Sequence, residues 1–489
     1  MLLSQLFASL GAPAVPCDPD ITAVTDRLEN VAANTLFVCI RGKNADGHRF
    51  ADAAVQRGAR AVVSEMPLPL SVPVLVTGNT RVAFALLCRT LYGAPDGSLS
   101  LTGVTGTNGK TTTSLYIKHI IESTGAKCAY IGTAGFCSPS GTEDFGHTTP
   151  DAAGFYRYLA KARDDGCGYC VVEVSSQALD QYRTYGASFS LGVMTNVGRD
   201  HLDYHGSLAA LVAAKTRLCE MSRRMLINAD DAAAPQFLDA AGKSPVLTYS
   251  CRSVPADVSA RDIRFTGLKS RFMLVSGMHA SRVELPAPGL YSVYNAVAAA
   301  GAALALGVGF DRVVSAMGTL PAIPGRMETF NVGGRLVAVD FAHTPAALDA
   351  VLSALAPCAD RLTAVFGCGG DRDPGKRPLM GAAAAKYCDL VVLTDDNPRT
   401  EDPAAIIDAI ARGIGKRRRV LRIPDRRLAI ETAIENSAPG DAVLIAGKGD
   451  ERTQTVGGRT LPFSDRETVL RLCEKYFTLQ SSETNCVKN

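Results

Sequence analysis

Leu101-Thr-Gly-Val-Thr-Gly-Thr-Asn-Gly-Lys-Thr-Thr-Thr113 decides the fold, because a short apolar strand runs into a glycine-rich turn and then into a helical pattern beginning near Thr112. Glycines at 103, 106 and 109 let backbone N–H groups converge on phosphate oxygens, Lys110 adds a point charge, and the Thr111 hydroxyl stands at a helix N-terminus, where it can ligate Mg²⁺. The pattern G-x-x-x-x-G-K-[ST] would place glycine at 104, where this chain has Val104 and offers Gly103 one residue earlier. Gly-Lys-Thr still follows a strand and opens a helix, so the stretch reads as a phosphate cradle for ATP or GTP.

Outward from this loop, a chain of 489 residues exceeds what one core accommodates and implies roughly two to four domains. With 47% hydrophobic and 20% charged residues it is globular, and a net charge of +3 argues against a dedicated nucleic-acid surface. The one basic run, Lys416-Arg-Arg-Arg419, sits between a helical pattern and the strand-like Val420-Leu-Arg-Ile423 and reads as a solvated helix end. The 14 cysteines are scattered without zinc-site spacing, which suggests reduced thiols. Met1-Leu-Leu-Ser-Gln-Leu-Phe7 lacks a positive leader region and no uncharged apolar run reaches spanning length, so the expectation is a soluble, cytoplasmic protein without a membrane partner.

Residues 1–90 read as a small α/β unit with strands at 35–40 and 61–64, a helix around 49–57, and a loop at 41–48 for which simple turning is the reading from periodicity. Residues 91–325 alternate helices with the strands 128–132, 168–174 and 191–196, which belong beside the phosphate-loop strand in a mostly parallel sheet. Glu173 at one strand end, with Asp200 and His201 past another, stands where open sheets place ligand groups, and a carboxylate beside a triphosphate can hold Mg²⁺. From 326 to 489 the pattern restarts with strands at 336–342, 361–367, 389–395 and 441–446, giving a second doubly wound unit. Phe366-Gly-Cys-Gly-Gly-Asp371 has Arg372 where a dinucleotide fingerprint needs its third glycine, and nothing else supports a nicotinamide. Gly325 reads as a hinge at the boundary.

Several segments together resemble one family, the Mur ligases, which join an amino acid or dipeptide to a UDP-linked muramyl substrate. They are Thr105-Gly-Thr-Asn-Gly-Lys-Thr-Thr112, His147-Thr-Thr-Pro150, Glu173-Val-Ser-Ser176, Thr195-Asn-Val-Gly-Arg-Asp-His-Leu-Asp-Tyr-His-Gly206, Tyr294-Asn-Ala296, Pro324-Gly-Arg-Met-Glu328, Asp340-Phe-Ala-His-Thr-Pro345 and Gly367-Cys-Gly-Gly-Asp-Arg-Asp373. Asp396-Asn-Pro-Arg399 and Gly447-Lys-Gly449 further resemble the branch that adds the third stem-peptide residue to UDP-MurNAc-L-Ala-D-Glu. The resemblance implies a uridine-nucleotide domain (1–90), a central ATPase (91–325) and a Rossmann-like amino-acid domain (326–489), acting as a monomer.

The resemblance also implies roles, residue by residue. Gly106, Thr107, Asn108, Gly109, Lys110, Thr111, Thr112, Asn295, Arg326 and Asp340 would bind ATP, while Thr111, Glu173, His201 and Lys215, the last as a carbamate, would hold Mg²⁺. Lys110, His201 and Lys215 would be catalytic. Asp26, Lys43, Asn44, Ala45, Thr148, Thr149, Ser175, Gln181 and Arg183 would hold the UDP-muramyl dipeptide, and Arg372, Asp396, Asn397, Pro398, Arg399, Gly447 and Glu451 the amino acid. Three positions depart from the family pattern: Asp26 stands for a serine, and Gln177 and Asp450 for histidines. For the amino acid, meso-diaminopimelate and L-lysine both remain open, the Asp-Asn-Pro-Arg form being linked by resemblance to diaminopimelate. Arg399 makes physical sense of that link, since a guanidinium fork can take the extra distal carboxylate bidentately. Two rivals are a P-loop switch or motor and folylpolyglutamate synthetase. A switch would call for a partner surface, and the chain shows neither coiled-coil heptads nor a large charge block.

Overall fold

The alternation of helical and strand periods becomes, in the computed structural model, a set of sheets wrapped by helices. The structure describes residues 1–12, 17–42, 45–252, 254–415 and 418–486, with side chains in the last helix described as far as Tyr476.

Among these described residues the first sheet is parallel and runs in chain order through Ala23–Thr25, Thr35–Val38, Ala59–Ser64 and Val74–Val76. The predicted amphipathic run at 49–57 forms a 3₁₀ turn, Gly47–Phe50, that passes into the helix Ala51–Gln56.

The second sheet carries the phosphate loop. Its parallel part lies in the order Val246–Ser250, Met225–Asn228, Leu191–Met194, Ser100–Thr105, Tyr169–Glu173, Cys128–Gly132. The phosphate-loop strand is thus central, flanked by the strands that deliver Glu173 and the 195–201 segment to the same carboxyl edge, where open sheets bind ligands. One edge is extended by an antiparallel meander, Val258–Thr266, Lys269–Ser276 and His279–Leu285, which the helix-and-strand alternation does not announce. Its signature is period two: Ser270, Phe272 and Leu274 are buried while Lys269 and Arg271 are exposed.

The third sheet runs Glu328–Val332, Arg335–Asp340, Ala442–Ala446, Leu362–Phe366, Leu390–Leu393, Arg419–Arg422, and all neighbours but the first pair are parallel. The last of these strands in sequence, Ala442–Ala446, is inserted between Arg335–Asp340 and Leu362–Phe366, so the winding reverses there. Such a switch point opens a crevice at the carboxyl edge. The loops after Asp340, Phe366, Leu393 and Ala446 all face it.

Packing ties these units to one another. Leu36 and Val63 of the first sheet share one apolar cluster with Phe84, Leu101, Phe155 and Phe189, so this sheet and one face of the second are sealed together. Phe189 is fully buried, and its truncation to alanine would cost about 3–5 kcal/mol. The opposite face is covered by the alanine-rich helix Leu290–Ala305, whose small side chains permit close approach. Both faces of the third sheet are buried. A fully buried ion pair, Arg426 with Asp465 at 2.7 Å, fastens the last helix to the start of the helix Arg426–Glu435, and Arg426 Nη2 also donates to Ala446 O of that sheet at 2.9 Å.

Candidate functional site

The strand Ser100–Thr105 ends at Gly106, and the helix Lys110–Glu122 begins directly after Gly109. The helix starts two residues earlier than the sequence pattern indicates, because Gly109 adopts φ +84° and serves as its N-cap. The amides of Lys110, Thr111 and Thr112 therefore occupy the first turn, with N–H groups free of helical partners. A Cβ on Gly109 would collide with Asn295 Oδ1, and one on Gly106 with Thr195 Oγ1. Lys110 Nζ donates to the carbonyls of Gly106 at 2.9 Å and Thr107 at 3.0 Å, folding the charge into the cradle. Thr107 Oγ1 donates to Gly198 O, and Asn108 N to Asn196 Oδ1, so the loop is anchored on the neighbouring strand's exit.

Glu173 is fully buried at its strand end. It accepts from Thr111 Oγ1 at 3.0 Å, from Thr133 N at 3.0 Å and Oγ1 at 3.2 Å, and from the Tyr130 hydroxyl. Tyr130 and Thr133 carry no sequence signal of this role. Lys215, 2% exposed, reaches in from its helix to donate to Gly106 O at 2.8 Å. Burial and then the charge of Lys110 push the Lys215 ammonium well below its usual range, with Asp200 opposing.

His201 sits at φ +54° at the start of a short helix, and its buried Nδ1 has no hydrogen-bond partner among the described residues. Burial lowers its pKa to about 4, with Asp200 opposing and Lys110 adding, so the ring is a neutral imidazole with a lone pair to offer. Asp200 lies 3.4 Å from His201 Nε2 and 3.5 Å from His343 Nε2. Burial would raise its carboxyl, but the hydrogen bond and charge of His343, then His201 and Lys376, hold it below the usual range. Among the described residues no three His, Cys, Asp or Glu side chains gather to hold a metal. The donors here are instead a hydroxyl, one carboxylate and one imidazole, a set that suits an oxygen-loving Mg²⁺ sharing its shell with phosphate.

Groups from beyond Gly325 face the same edge. Arg326 stacks on Phe341 at 4.0 Å, lies 3.7 Å from Asp450, and is close enough to Lys110 to lower that ammonium slightly, behind burial and against Glu173 and Asp200. Asp340 accepts from Met327 N and Ala342 N, each at 2.7 Å, so backbone donors fix its carboxylate while burial raises its pKa. Asn295, 8% exposed, accepts from Thr113 Oγ1 at 3.4 Å.

A cleft between the first and second sheets is lined by Asp26, Arg27, Arg81, His147, Gln181 and Arg183. Of these, Arg81 had no motif to announce it. Arg183 donates to Gln181 Oε1 at 2.9 Å and Thr149 O at 2.8 Å. The Thr149 hydroxyl is spent internally on Glu173 O at 2.7 Å, and Ser175 Oγ caps its own helix through Ala178 N at 3.2 Å. Thr148 Oγ1 accepts from Thr133 at 3.2 Å. Ala45 O receives Gly42 N at 2.8 Å, whereas Lys43 and Asn44 lie outside the described residues, as do Lys416 and Arg417 of the basic run.

At the crevice of the third sheet, Arg399 adopts φ +54° and donates from Nη1 to Gly370 O at 2.5 Å, leaving Nε and Nη2 without a hydrogen bond among the described residues. Burial, then Arg372, lowers its pKa, so the two guanidiniums face a common space that an anion would relieve. Arg372 also lies 3.6 Å from Asp203 of the 195–206 segment. Asn397 and Glu451 hydrogen-bond at 3.0 Å, and Pro398 O packs against Gly370. Asp396 is buried beneath this surface. Its Oδ2 would lie 2.6 Å from a Cβ on Gly447, which takes φ +113°.

The sequence and structure are similar to known proteins over nearly the whole length. Residues 28–83 match the Mur ligase family catalytic domain, 104–303 the Mur ligase middle domain and 325–449 the Mur ligase glutamate ligase domain. The UDP-N-acetylmuramoyl-L-alanyl-D-glutamate–2,6-diaminopimelate ligase of Geobacillus kaustophilus (strain HTA426) is 40% identical, the match covering 92% of this chain and 94% of that protein. The ligase of the same name from Alkalilimnicola ehrlichii (strain ATCC BAA-1101 / DSM 17681 / MLHE-1) is 42% identical over 89% of this chain and 91% of its own. A solved structure of a ligase so named superposes with a TM-score of 0.70 at 35% identity, covering 97% of this chain and 99% of that one.

Proposed function

The chain belongs to the Mur ligase family, and on that premise we propose that it is the ATP-dependent ligase that joins meso-diaminopimelate to UDP-MurNAc-L-Ala-D-Glu in peptidoglycan precursor synthesis. One observation carries this reading to the residues: Lys110, Thr111, Glu173 and Lys215 converge on the phosphate loop, while the adjacent crevice holds Arg372, Asn397, Arg399 and Glu451, which would meet an amino acid. Domains at 1–90, 91–325 and 326–489 would bring the dipeptide, ATP and amino acid respectively. The cleft lined by Asp26, Gln181 and Arg183 supplies an amide and a guanidinium for a ligand rich in phosphate and carboxylate.

The first step moves the γ-phosphoryl group of ATP to the D-glutamyl carboxylate, giving an acyl phosphate and ADP. In the second, the amine of the amino acid attacks the acyl carbon, the amide forms, and phosphate leaves as the nitrogen loses its proton. Lys110 neutralises charge spread over the phosphoryl oxygens, and Arg326 and Asp340 bring ATP contacts from across the boundary. Thr111, Glu173, His201 and a carbamate on Lys215 would hold Mg²⁺, which when bound shields the triphosphate charge. The buried, unpartnered His201 Nδ1 fits that role. So does Lys215: only a neutral amine adds to CO₂, releasing a proton to leave an anionic carbamate, and burial beside Lys110 favours the neutral amine.

The test is ADP release measured with ATP and Mg²⁺ alone, then with each remaining substrate, then with both. Turnover should rise only when UDP-MurNAc-L-Ala-D-Glu and diaminopimelate are present together. Turnover that responds instead to folate and glutamate, or that runs at full rate without either substrate, would refute the proposal.

A further inference from the structure

The segment Gly447-Lys-Gly-Asp-Glu451 leaves the carboxyl end of the strand Ala442–Ala446, and its lysine turns inward. Lys448 is 0% exposed. Its ammonium donates to Glu451 Oε2 at 2.7 Å and to Asn397 Oδ1 at 3.2 Å, and no step of the ligase chemistry above uses it. A buried ammonium is retained only where its partners are fixed, because taking a charge out of water is expensive.

Those partners gain a defined direction from it. Asn397 Oδ1 also accepts from Thr455 N at 2.9 Å, so two donors determine which end of the amide is oxygen. Asn397 Nδ2 then points to Glu451 Oε2 at 3.0 Å. Glu451 Oε2 is thereby saturated by Lys448 and Asn397. One Nδ2 hydrogen and Glu451 Oε1 have no hydrogen-bond partner among the described residues. These two atoms form a donor beside an acceptor, and Arg399 lies near enough to Glu451 to feel its charge. That array complements a zwitterionic CH(NH₃⁺)COO⁻ group, the acceptor taking the ammonium and the donors the carboxylate. The ribbon Thr453–Val456 with Arg459–Pro462 braces the array from outside, through Thr455 N and through Gln454 Nε2 on Asp396 O at 2.9 Å.

We propose that Lys448 is a positioning residue for amino-acid selection, holding Asn397 and Glu451 in the one orientation that reads the distal zwitterion of diaminopimelate. The inference rests on the function proposed above. Without the ammonium the Asn397 oxygen keeps only Thr455 N as a donor and Glu451 Oε2 only Asn397 Nδ2, so the array loses part of the preorganisation on which rejection of an analogue lacking a polar group depends.

The experiment compares Lys448→Met with the wild type by steady-state kinetics on all three substrates, using diaminopimelate and L-lysine in parallel. The expected result is a KM for diaminopimelate raised about thirtyfold or more, kcat and the KM values for ATP and the UDP-muramyl dipeptide within about threefold, and a diaminopimelate-over-lysine preference reduced by at least about tenfold. Lys448→Gln, which keeps a donor for Asn397, should recover part of the preference. Three substrates affected equally would make Lys448 a support of the fold and overturn the proposal, as would an unchanged preference. Loss of the folded state in both variants, read by near-ultraviolet circular dichroism, would assign Lys448 to stability alone and also overturn it. A wild-type enzyme that does not use diaminopimelate would refute the function and this inference together, whereas the other adverse outcomes remove this inference alone.

Discussion

The phosphate loop and the crevice of the third sheet both gather groups that suit anions, by opposite constructions. In the first, a single strand-turn-helix delivers backbone amides, Lys110 and Thr111 within six residues of one another, and two glycines with left-handed φ let the chain close around the ligand. In the second, the groups come from separate loops after Phe366, Leu393 and Ala446, and guanidiniums do what amides do in the first. On the function proposed above, the difference follows from what each would recognise. A triphosphate is the same in every such reaction and is served by backbone. One amino acid must be told from another, and that takes side chains, with a buried layer of Lys448, Asp396 and Arg426 to hold them. Damage to the first should therefore slow the reaction with any amino acid, and damage to the second should change which amino acid is used.

The sharpest way to break this division is Lys110→Ala. Among the described residues its ammonium hydrogen-bonds only to loop carbonyls, so the fold should persist with an unchanged Tm while kcat falls about a thousandfold, equivalent to about 4 kcal/mol of barrier. Retention of more than about a tenth of wild-type turnover would contradict the role given to this lysine. Next in size is Arg399→Ala, expected to lower the preference for diaminopimelate over lysine by about a hundredfold while leaving the KM for ATP within twofold or so. A fall in ATP affinity of similar size would show that the two sites are not separable in this way.

A third variant probes the backbone of the cradle. Gly109→Ala places a Cβ at φ +84° against Asn295, at a conformational cost of about 1–2 kcal/mol. The KM for ATP should rise about tenfold with amino-acid preference intact, and an altered preference would blur the comparison.

The smallest effect concerns the Asp395 carboxyl at the crevice, half-buried and pushed up to about 6 by burial, with Arg426 opposing and Asp425, Asp396 and Asp402 adding. Because the folded value lies above that of an unfolded Asp, about 3.9, folding takes up a proton. The group's favourable contribution is complete below about pH 4 and is lost as the pH rises through 6. Asp395→Asn should accordingly be more stable than the wild type at pH 8, by about 1 kcal/mol once solvent screening is allowed for, and the gap should close by about pH 4. Thermal scans across that range check it, and a gap that is constant with pH would count against it.

How much of this is legible in the sequence also follows the two constructions. The cradle could be read residue by residue because its parts are contiguous and each answers to local rules: glycine for left-handed backbone, lysine for charge, threonine at a helix start. Its central place in a parallel sheet followed from the apolar runs ending in Glu173 and before Asp200. At the crevice, Arg399 and Glu451 could be named by resemblance, but their supports could not. Lys448 reads as one more charged residue in a glycine-rich turn until the fold buries it, and Thr455 lies in a polar stretch whose pairing as a ribbon depends on the loop it braces. The partners of Glu173, Tyr130 and Thr133, were equally silent, since they come from a strand and its exit that are adjacent only after the sheet forms. The Thr149 hydroxyl, expected to face substrate, is turned onto Glu173 O, because a strand end leaves a carbonyl that must be satisfied.

The central claim, a ligase whose cradle drives the chemistry and whose crevice selects diaminopimelate, is tested most directly by kcat/KM for meso-diaminopimelate and for L-lysine on the unmodified protein, at saturating ATP and UDP-MurNAc-L-Ala-D-Glu. A site built on polar contacts to a distal carboxylate should favour diaminopimelate by about 10³ to 10⁴. A ratio within about tenfold would contradict the reading of Arg399, Asn397 and Glu451 as the elements that choose the amino acid.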